Sequence, residues 1–130
     1  MKKTVYLDST IPSYYFDNRE SLKYPVDITR LWWEKERQNF DIWISEETIA
    51  ELTEGNYPGK EEILEFVSKI KVLEFDKNII EIARIYLDNY IMPGVLKGDA
   101  IHLSYASYYK IDFLLTWNCN HLANANKKNT

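Results

Sequence analysis

Acidic side chains stand where the apolar runs of this 130-residue sequence end, and their types and spacing are its clearest chemistry. Asp8 closes the run from Lys3 to Leu7, and Glu46, Glu47, Glu51 and Glu54 follow the run from Phe40 to Ile44. Asp76 follows Lys71 to Phe75, Asp99 opens a helix-like segment, and Asn118 and Asn120 follow the run from Asp112 to Thr116. Carboxylates gathered in one place repel one another, and a divalent cation is the usual reason to tolerate them. Mg²⁺ or Mn²⁺ held by a few carboxylates and waters can activate water and steady charge developing on a phosphodiester. Whether these acids meet depends on the elements that carry them.

Lys3 to Leu7 is β-branched and aromatic and predicts a first strand. Ser9-Thr10-Ile11-Pro12 predicts a helix start, with a hydroxyl cap and proline in the first turn. Residues 17–25 are polar, include Pro25 and predict a loop; Val26 to Gln38 predicts an amphipathic helix with Ile28, Leu31 and Trp32 on its apolar side. Phe40 to Ile44 predicts a second strand, and Ser45 caps a helix over Glu46 to Glu54 whose acids favour its positive end. After the turn cluster Gly55 to Gly59, Lys60 to Ile70 predicts a helix with Ile63, Leu64, Phe66 and Val67 inward. Lys71 to Phe75 predicts a third strand, and Asp76 caps a helix from Lys77 to Tyr90 with the stripe Ile79, Ile80, Ile82, Ala83, Tyr86 and Leu87. Met92-Pro93-Gly94 breaks that helix, Asp99 opens another through Tyr109, and Asp112 to Thr116 predicts a fourth strand. Strands alternating with helices imply an α/β chain with a parallel sheet covered on both faces, where ligands bind beyond the carboxyl ends of the strands. Residues 123–130 carry no hydrophobic pattern and are expected to fray; so abrupt an ending suggests that a last βα unit is missing.

The length suits one domain over residues 1–130. A hydrophobic fraction of 45% excludes a disordered tail, and four Gly with four Pro exclude a collagen-like or linker-rich chain. Cys119 is the single cysteine, which excludes an internal disulfide and fits a reducing, cytoplasmic setting. No apolar run approaches the ~20 residues a membrane span needs, and none stands behind Met1-Lys2-Lys3 to make a signal peptide. The net charge of −4 divides unevenly, with residues 1–65 at −6 and residues 66–130 at +2. Any contact with nucleic acid is therefore expected to be local rather than driven by overall charge. The nineteen aromatic residues, among them the pairs Tyr14-Tyr15, Trp32-Trp33 and Tyr108-Tyr109, read as core or interface more than as a base-stacking platform.

Four segments, Val5 to Thr10, Ile44 to Leu52, Lys97 to Leu103 and Leu114 to Asn118, together resemble a PIN domain in order and spacing. The resemblance spans nearly the whole chain. It implies a Rossmann-like three-layer α/β/α sandwich with a parallel sheet, here of about four strands. It also implies metal-dependent cleavage of RNA, as in small VapC-like bacterial toxins held inactive by a cognate antitoxin, and homodimers are common in the family. Carried over residue by residue, Asp8 is the acid after the first strand and Glu51 the glutamate in the helix after the second. Asp99 is the acid opening the helix before the fourth strand. The family's fourth acid falls at Asn118, whose amide can offer an oxygen but brings no charge. The resemblance thus implies Mg²⁺ or Mn²⁺ held by Asp8, Glu51 and Asp99 with Asn118 assisting, RNA as substrate, and an antitoxin in an apolar groove for which Tyr14, Tyr15, Trp32 and Trp33 are candidates.

Each residue also has a plainer reading. Asp8 could cap a helix, although Ser9 and Thr10 offer hydroxyls for that, and Gly98-Asp99-Ala100 is itself an N-cap signal. Glu47 and Glu51 share a helix face at i, i+4, so either could point at a site, while Glu46 and Glu54 read as solvated. His102, one turn after Asp99, either orients a ligand or phosphate or is a packed helix histidine; His121 has the same two readings. Thr116 could hydrogen-bond a ligand or merely satisfy backbone, and Lys97, Arg19 and Arg30 are phosphate contacts or solvated cations. Cys119 reads as a bystander. At the level of the whole protein, Asn118 favours an alternative, a PIN-like RNA- or protein-binding module with weakened catalysis. A phosphotransfer domain ranks below both, because Thr10 stands where a phosphatase places its second Asp and Asp8 stands alone where a receiver pairs its acids.

Overall fold

Strict alternation in the first strand divides the molecule into layers. In β1 (Lys3–Leu7), Val5 and Leu7 enter one apolar cluster and Tyr6 enters another, all three at most 2% exposed. The computed structural model describes residues 1–88 and 97–118, Lys97 by its backbone alone. Beside β1 lie β2 (Phe40–Ser45), β3 (Lys71–Leu73) and β4 (Phe113–Leu115), in the order β3-β2-β1-β4. Every pairing is parallel, with Val5 opposite Ile42 and Phe113, and Ile44 opposite Val72.

The helices sort by face as the strand pattern requires. The Val5 and Leu7 face is covered by α1 (Thr10–Tyr15), α2 (Lys23–Glu36), α3 (Glu46–Thr53) and α4 (Lys60–Val67) through Ile11, Trp32, Trp33, Leu52, Ile63 and Val67. The Tyr6 face is covered by α5 (Lys77–Asp88) and α6 (Lys97–Tyr108) through Ile79, Ile101 and Tyr105. The result is the expected three-layer α/β/α arrangement on a parallel four-stranded sheet. From β1 the chain winds outward to β2 and β3 under one set of helices, then returns beneath the other set to lay β4 on the free side of β1. Strand order therefore reverses between β1 and β4, and the crevice beyond their carboxyl ends is where such sheets bind ligands.

Several expected boundaries moved. A 3₁₀ turn (Glu20–Leu22) and the first turn of α2 occupy most of the expected loop over residues 17–25. Pro25 sits inside that first turn, where its missing N–H has no partner to lose. The buried residues of α2 are Val26 and Thr29, while Ile28 and Leu31 stand 38% and 55% exposed, against the expected inward stripe. Thr29 can be buried because its hydroxyl donates to Pro25 O at 2.7 Å and accepts from Trp117 Nε1 at 2.8 Å. A second 3₁₀ turn (Arg37–Asn39) closes α2 early, and α4 ends at Val67 in tight turns, with Ile70 N donating to Val67 O. Helix α6 begins at Lys97, two residues before the expected Asp99, and β3 and β4 are each three residues long. Met92-Pro93-Gly94, Cys119, Asn120, His121 and residues 123–130 lie outside the described residues, as does the expected end of α5 near Tyr90. Among the described residues, no helix is long and apolar enough to cross a membrane.

Candidate functional site

Asp8 leaves the end of β1 only 3% exposed, inside a shell of hydroxyls. Its Oδ1 accepts from Thr10 N at 3.0 Å and from Thr10 Oγ1 at 2.5 Å, and its Oδ2 accepts from the Thr116 hydroxyl. Ser9 stands at the cap position of α1 but makes no side-chain cap bond, so the expected hydroxyl cap is replaced by the Asp8 carboxylate. Burial pushes the Asp8 carboxyl above the ordinary range, and the Thr10 and Thr116 hydroxyls and His102 pull it back only in part.

Asp99 is 8% exposed in the first turn of α6, not at its cap. Asn118 Nδ2 donates to Asp99 Oδ1 at 3.0 Å, and Asn118 N donates to Thr116 Oγ1 at 2.9 Å. An amide at position 118 thus supplies a donor that a carboxylate would lack. Trp117 N donates to Thr10 Oγ1 at 2.9 Å, so the segment after β4 is laced to both acids. A continuous hydrogen-bonded path runs from Asp8 through Thr116 and Asn118 to Asp99, across the β1/β4 crevice.

Glu51 approaches from α3 and remains 31% exposed at its side chain. Its Oε1 accepts from His102 Nε2 at 2.6 Å, and Ser9 adds a hydrogen bond. Its Oε2 rests where Gly98 has no side chain: a Cβ there would lie 2.6 Å from Glu51 Oε2 and 3.8 Å from Glu47 Oε2. Both glutamates of the i, i+4 pair therefore face the start of α6, with Glu51 the nearer. Burial alone would raise the Glu51 carboxyl, but the bond and charge of His102 bring it below the usual range. Burial likewise works against a charged His102, yet Glu51, Asp8 and Glu47 together hold its pKa above the ordinary value. His102 is 3% exposed and its Nδ1 lies 2.5 Å from the Tyr6 hydroxyl, so it is a packed histidine, as one of its two readings had it, with both ring nitrogens hydrogen-bonded.

Other expected candidates are occupied elsewhere. Arg19 pairs with Asp17 at 2.7 Å, and Arg30 turns back to Tyr15 O at 2.7 Å. Asp76 Oδ1 takes the backbone and side-chain N–H groups of Asn78, as a cap for α5, and Glu46 and Glu54 are exposed. Of the four aromatics assigned to a groove, Tyr15 and Trp33 pack with Phe66 and Tyr14 leans on Trp117. Trp32 lines an apolar hollow of about 180 Å³ with Ile11, Ile28, Leu115 and Trp117. Thr10, Gly98 and Tyr6 complete the site's geometry without having been singled out from sequence as site residues. All three lie inside the quoted motifs, Tyr6 and Thr10 beside Asp8 and Gly98 beside Asp99, but nothing in those motifs marked their own roles.

The donors gathered at this edge are hard oxygens, the kind Mg²⁺ and Mn²⁺ take. Among the described residues, no three His, Cys, Asp or Glu side chains are grouped so as to hold one ion by themselves. Mg²⁺ is commonly bound through one or two carboxylates and keeps several waters, and Asp8 and Asp99 fit that pattern.

The family model for the PIN domain matches residues 5–122. No curated protein matches the sequence. Among solved structures, the fold is similar to VapC20 of Mycobacterium tuberculosis, a sarcin-ricin loop cleaving toxin, with a TM-score of 0.74 at 10% identity over 92% of this chain and 93% of that one. It is also similar to FitAcB of Neisseria gonorrhoeae, with a TM-score of 0.67 at 17% identity over 94% of this chain and 93% of that one.

Proposed function

This chain belongs to the PIN domain family, and from that premise we propose that it is a Mg²⁺- or Mn²⁺-dependent endoribonuclease acting in the cytoplasm as the toxin of a toxin–antitoxin pair. The observation that carries the proposal is the hydrogen-bonded path from Asp8 to Asp99 through Thr116 and Asn118, which draws acids from opposite ends of the chain to one crevice. Asp8 and Asp99 would hold the ion, with Glu51 reaching it from α3 as a further ligand. The chemistry such an ion supplies when bound is activation of water and neutralisation of charge developing on the phosphodiester.

The chain's own groups do the arranging. Thr10 and Thr116 orient the two oxygens of Asp8, so that its carboxylate is set before any ligand arrives. Asn118 orients Asp99, and Gly98 leaves the space into which Glu51 extends. Glu51, partly exposed and fixed through Oε1 by His102, would meet the ion with its Oε2, which lies beside Gly98. VapC20 supports RNA as the substrate class, and the apolar hollow lined by Trp32 and Trp117 suits an apolar segment of an antitoxin. Homodimerisation belongs to the same proposal.

Replacing Asp8 or Asp99 with Asn is expected to abolish Mn²⁺-dependent cleavage of RNA by the purified protein; undiminished cleavage in both variants would sink the mechanism. A second reading follows from Asn118, which leaves this edge one carboxylate short of the family's pattern. A binding module without catalysis would hold RNA or a protein partner and show no Mn²⁺ binding at millimolar concentrations by calorimetry.

A further inference from the structure

Tyr6 is fully buried beneath the candidate site, and its hydroxyl has no part in the chemistry just described. Packing alone would be served by phenylalanine, since the ring already stacks on Tyr105 within the second core cluster. Yet the hydroxyl meets three side chains, with Ser45 Oγ at 2.6 Å, His102 Nδ1 at 2.5 Å and Thr48 Oγ1 at 3.4 Å. We propose that Tyr6 is a positioning residue whose hydroxyl locks the ring of His102 and, through it, the orientation of Glu51. The proposal rests on Glu51 being a site acid.

Donor and acceptor chemistry fixes the direction of this relay. An ionised Glu51 only accepts, so His102 Nε2 must carry the hydrogen between them. The Tyr6 hydroxyl can donate to Nδ1 of a neutral ring or accept from Nδ1–H of a charged one, so the link survives either state of the histidine. Ser45 anchors the other side of the hydroxyl, and its Oγ also accepts Thr48 N in the capping box that starts α3. Thr48 Oγ1 in turn donates to Leu7 O at 3.1 Å, the carbonyl just before Asp8. The same hydroxyl network therefore references α3, which carries Glu51, to the end of β1, which carries Asp8. Among the described residues, no buried side-chain polar atom lacks a partner, so removing this one hydroxyl opens a gap in an otherwise satisfied network.

Tyr6→Phe is expected to lower kcat for RNA cleavage and the affinity for Mn²⁺ by about tenfold or more, the effect typical of groups that orient metal ligands. The KM for RNA should be unchanged. In a Glu51→Gln background the same substitution should cause no further loss, because its effect passes through Glu51. In ¹⁵N-histidine-labelled protein, an exchange-protected ring N–H of His102 is expected in the wild type and should be lost in Tyr6→Phe. Survival of that resonance with unchanged Mn²⁺ affinity overturns the proposal. An equal loss of affinity in both backgrounds overturns it too, since that would mark general loosening. If Glu51→Gln leaves Mn²⁺ binding and cleavage intact while Tyr6→Phe still removes the ring signal, the relay stands and the assignment of Glu51 to the site falls. Should Tyr6→Phe fail to fold, His102→Asn, which reaches Tyr6 but not Glu51, carries the same expectation for Mn²⁺ binding, and unchanged affinity there overturns the proposal.

Discussion

Alanine at Gly98 would set a methyl 2.6 Å from Glu51 Oε2, closer than atoms in contact allow, while costing the helix nothing. Within a helix, Ala is in fact favoured over Gly by about 1 kcal/mol. The obstructed atom is the end of a flexible side chain, so the fold accommodates the methyl and the carboxylate must move. Gly98→Ala is therefore expected to hold or raise the thermal midpoint and yet to lower Mn²⁺-dependent cleavage by an order of magnitude. Equal activity would show that the position of Glu51 does not matter to catalysis. Asp8 was legible as a candidate because an acid at the carboxyl end of a strand is conspicuous, whereas Glu51 was singled out from Glu47, and Asp99 from a plain helix cap, only by the resemblance of the four motifs together. Gly98 and Tyr6 were not legible, for a physical reason. The meaning of a missing Cβ, or of one hydroxyl on an apolar strand, lies in what faces it across the fold, and no local spacing encodes that.

The elements hold each other in register through a few polar clips as well as through the core. Asp112, just before β4, accepts from Thr4 N at 2.8 Å and Thr4 Oγ1 at 3.0 Å, and returns its own N–H to Thr4 Oγ1 at 2.8 Å. This clip aligns the entry of β4 with that of β1, and the carboxyl ends of the same two strands flank the candidate site. Hydrogen bonds from Thr4 hold the Asp112 carboxyl below the ordinary range. Its stabilising effect is thus fully present above the ordinary carboxylate pKa of about 3.9 and is lost as pH falls through the lower folded value. Asp112→Ala should have a lower thermal midpoint than the wild type at pH 6, and the gap should close in acid; a constant gap would assign the effect to packing instead. At this scale, strand periodicity and the Ser45 cap were readable directly from the sequence. Helix α2 was readable as a helix, and Trp32 packs on the core as expected, but the rest of its inward face was not, because burial there goes to Thr29, whose hydroxyl is satisfied by Pro25 and Trp117, while Ile28 and Leu31 face outward. A hydrophobic pattern cannot foresee a buried polar residue whose partner is 88 positions away.

Across the whole molecule, sheet order and charge point to the same edge. The order β3-β2-β1-β4 places the reversal between β1 and β4, where Asp8 and Asp99 are linked through Thr116 and Asn118 and Glu51 faces the start of α6, within a chain of net charge −4. Arg19 is engaged by Asp17 and Arg30 by backbone carbonyls, which leaves fewer cations to meet phosphate than the sequence count suggests. A phosphate backbone approaching this crevice without a cation would meet like charge. In divalent-free buffer, binding of an uncleavable RNA should therefore be weak and only mildly dependent on salt. About three phosphate contacts at a slope of −0.7 each give roughly −2 for the dependence of log K on log salt. Millimolar Mn²⁺ should strengthen that binding by about tenfold, or ~1.4 kcal/mol. The Asp8→Asn/Asp99→Asn double variant should reverse the pattern, binding more tightly than the wild type without divalent ion and gaining nothing from Mn²⁺. Fluorescence anisotropy across a salt series measures all of these quantities. Wild-type binding that ignores Mn²⁺, or a double variant that still responds to it, would remove the acids of this crevice from the account of how RNA is held.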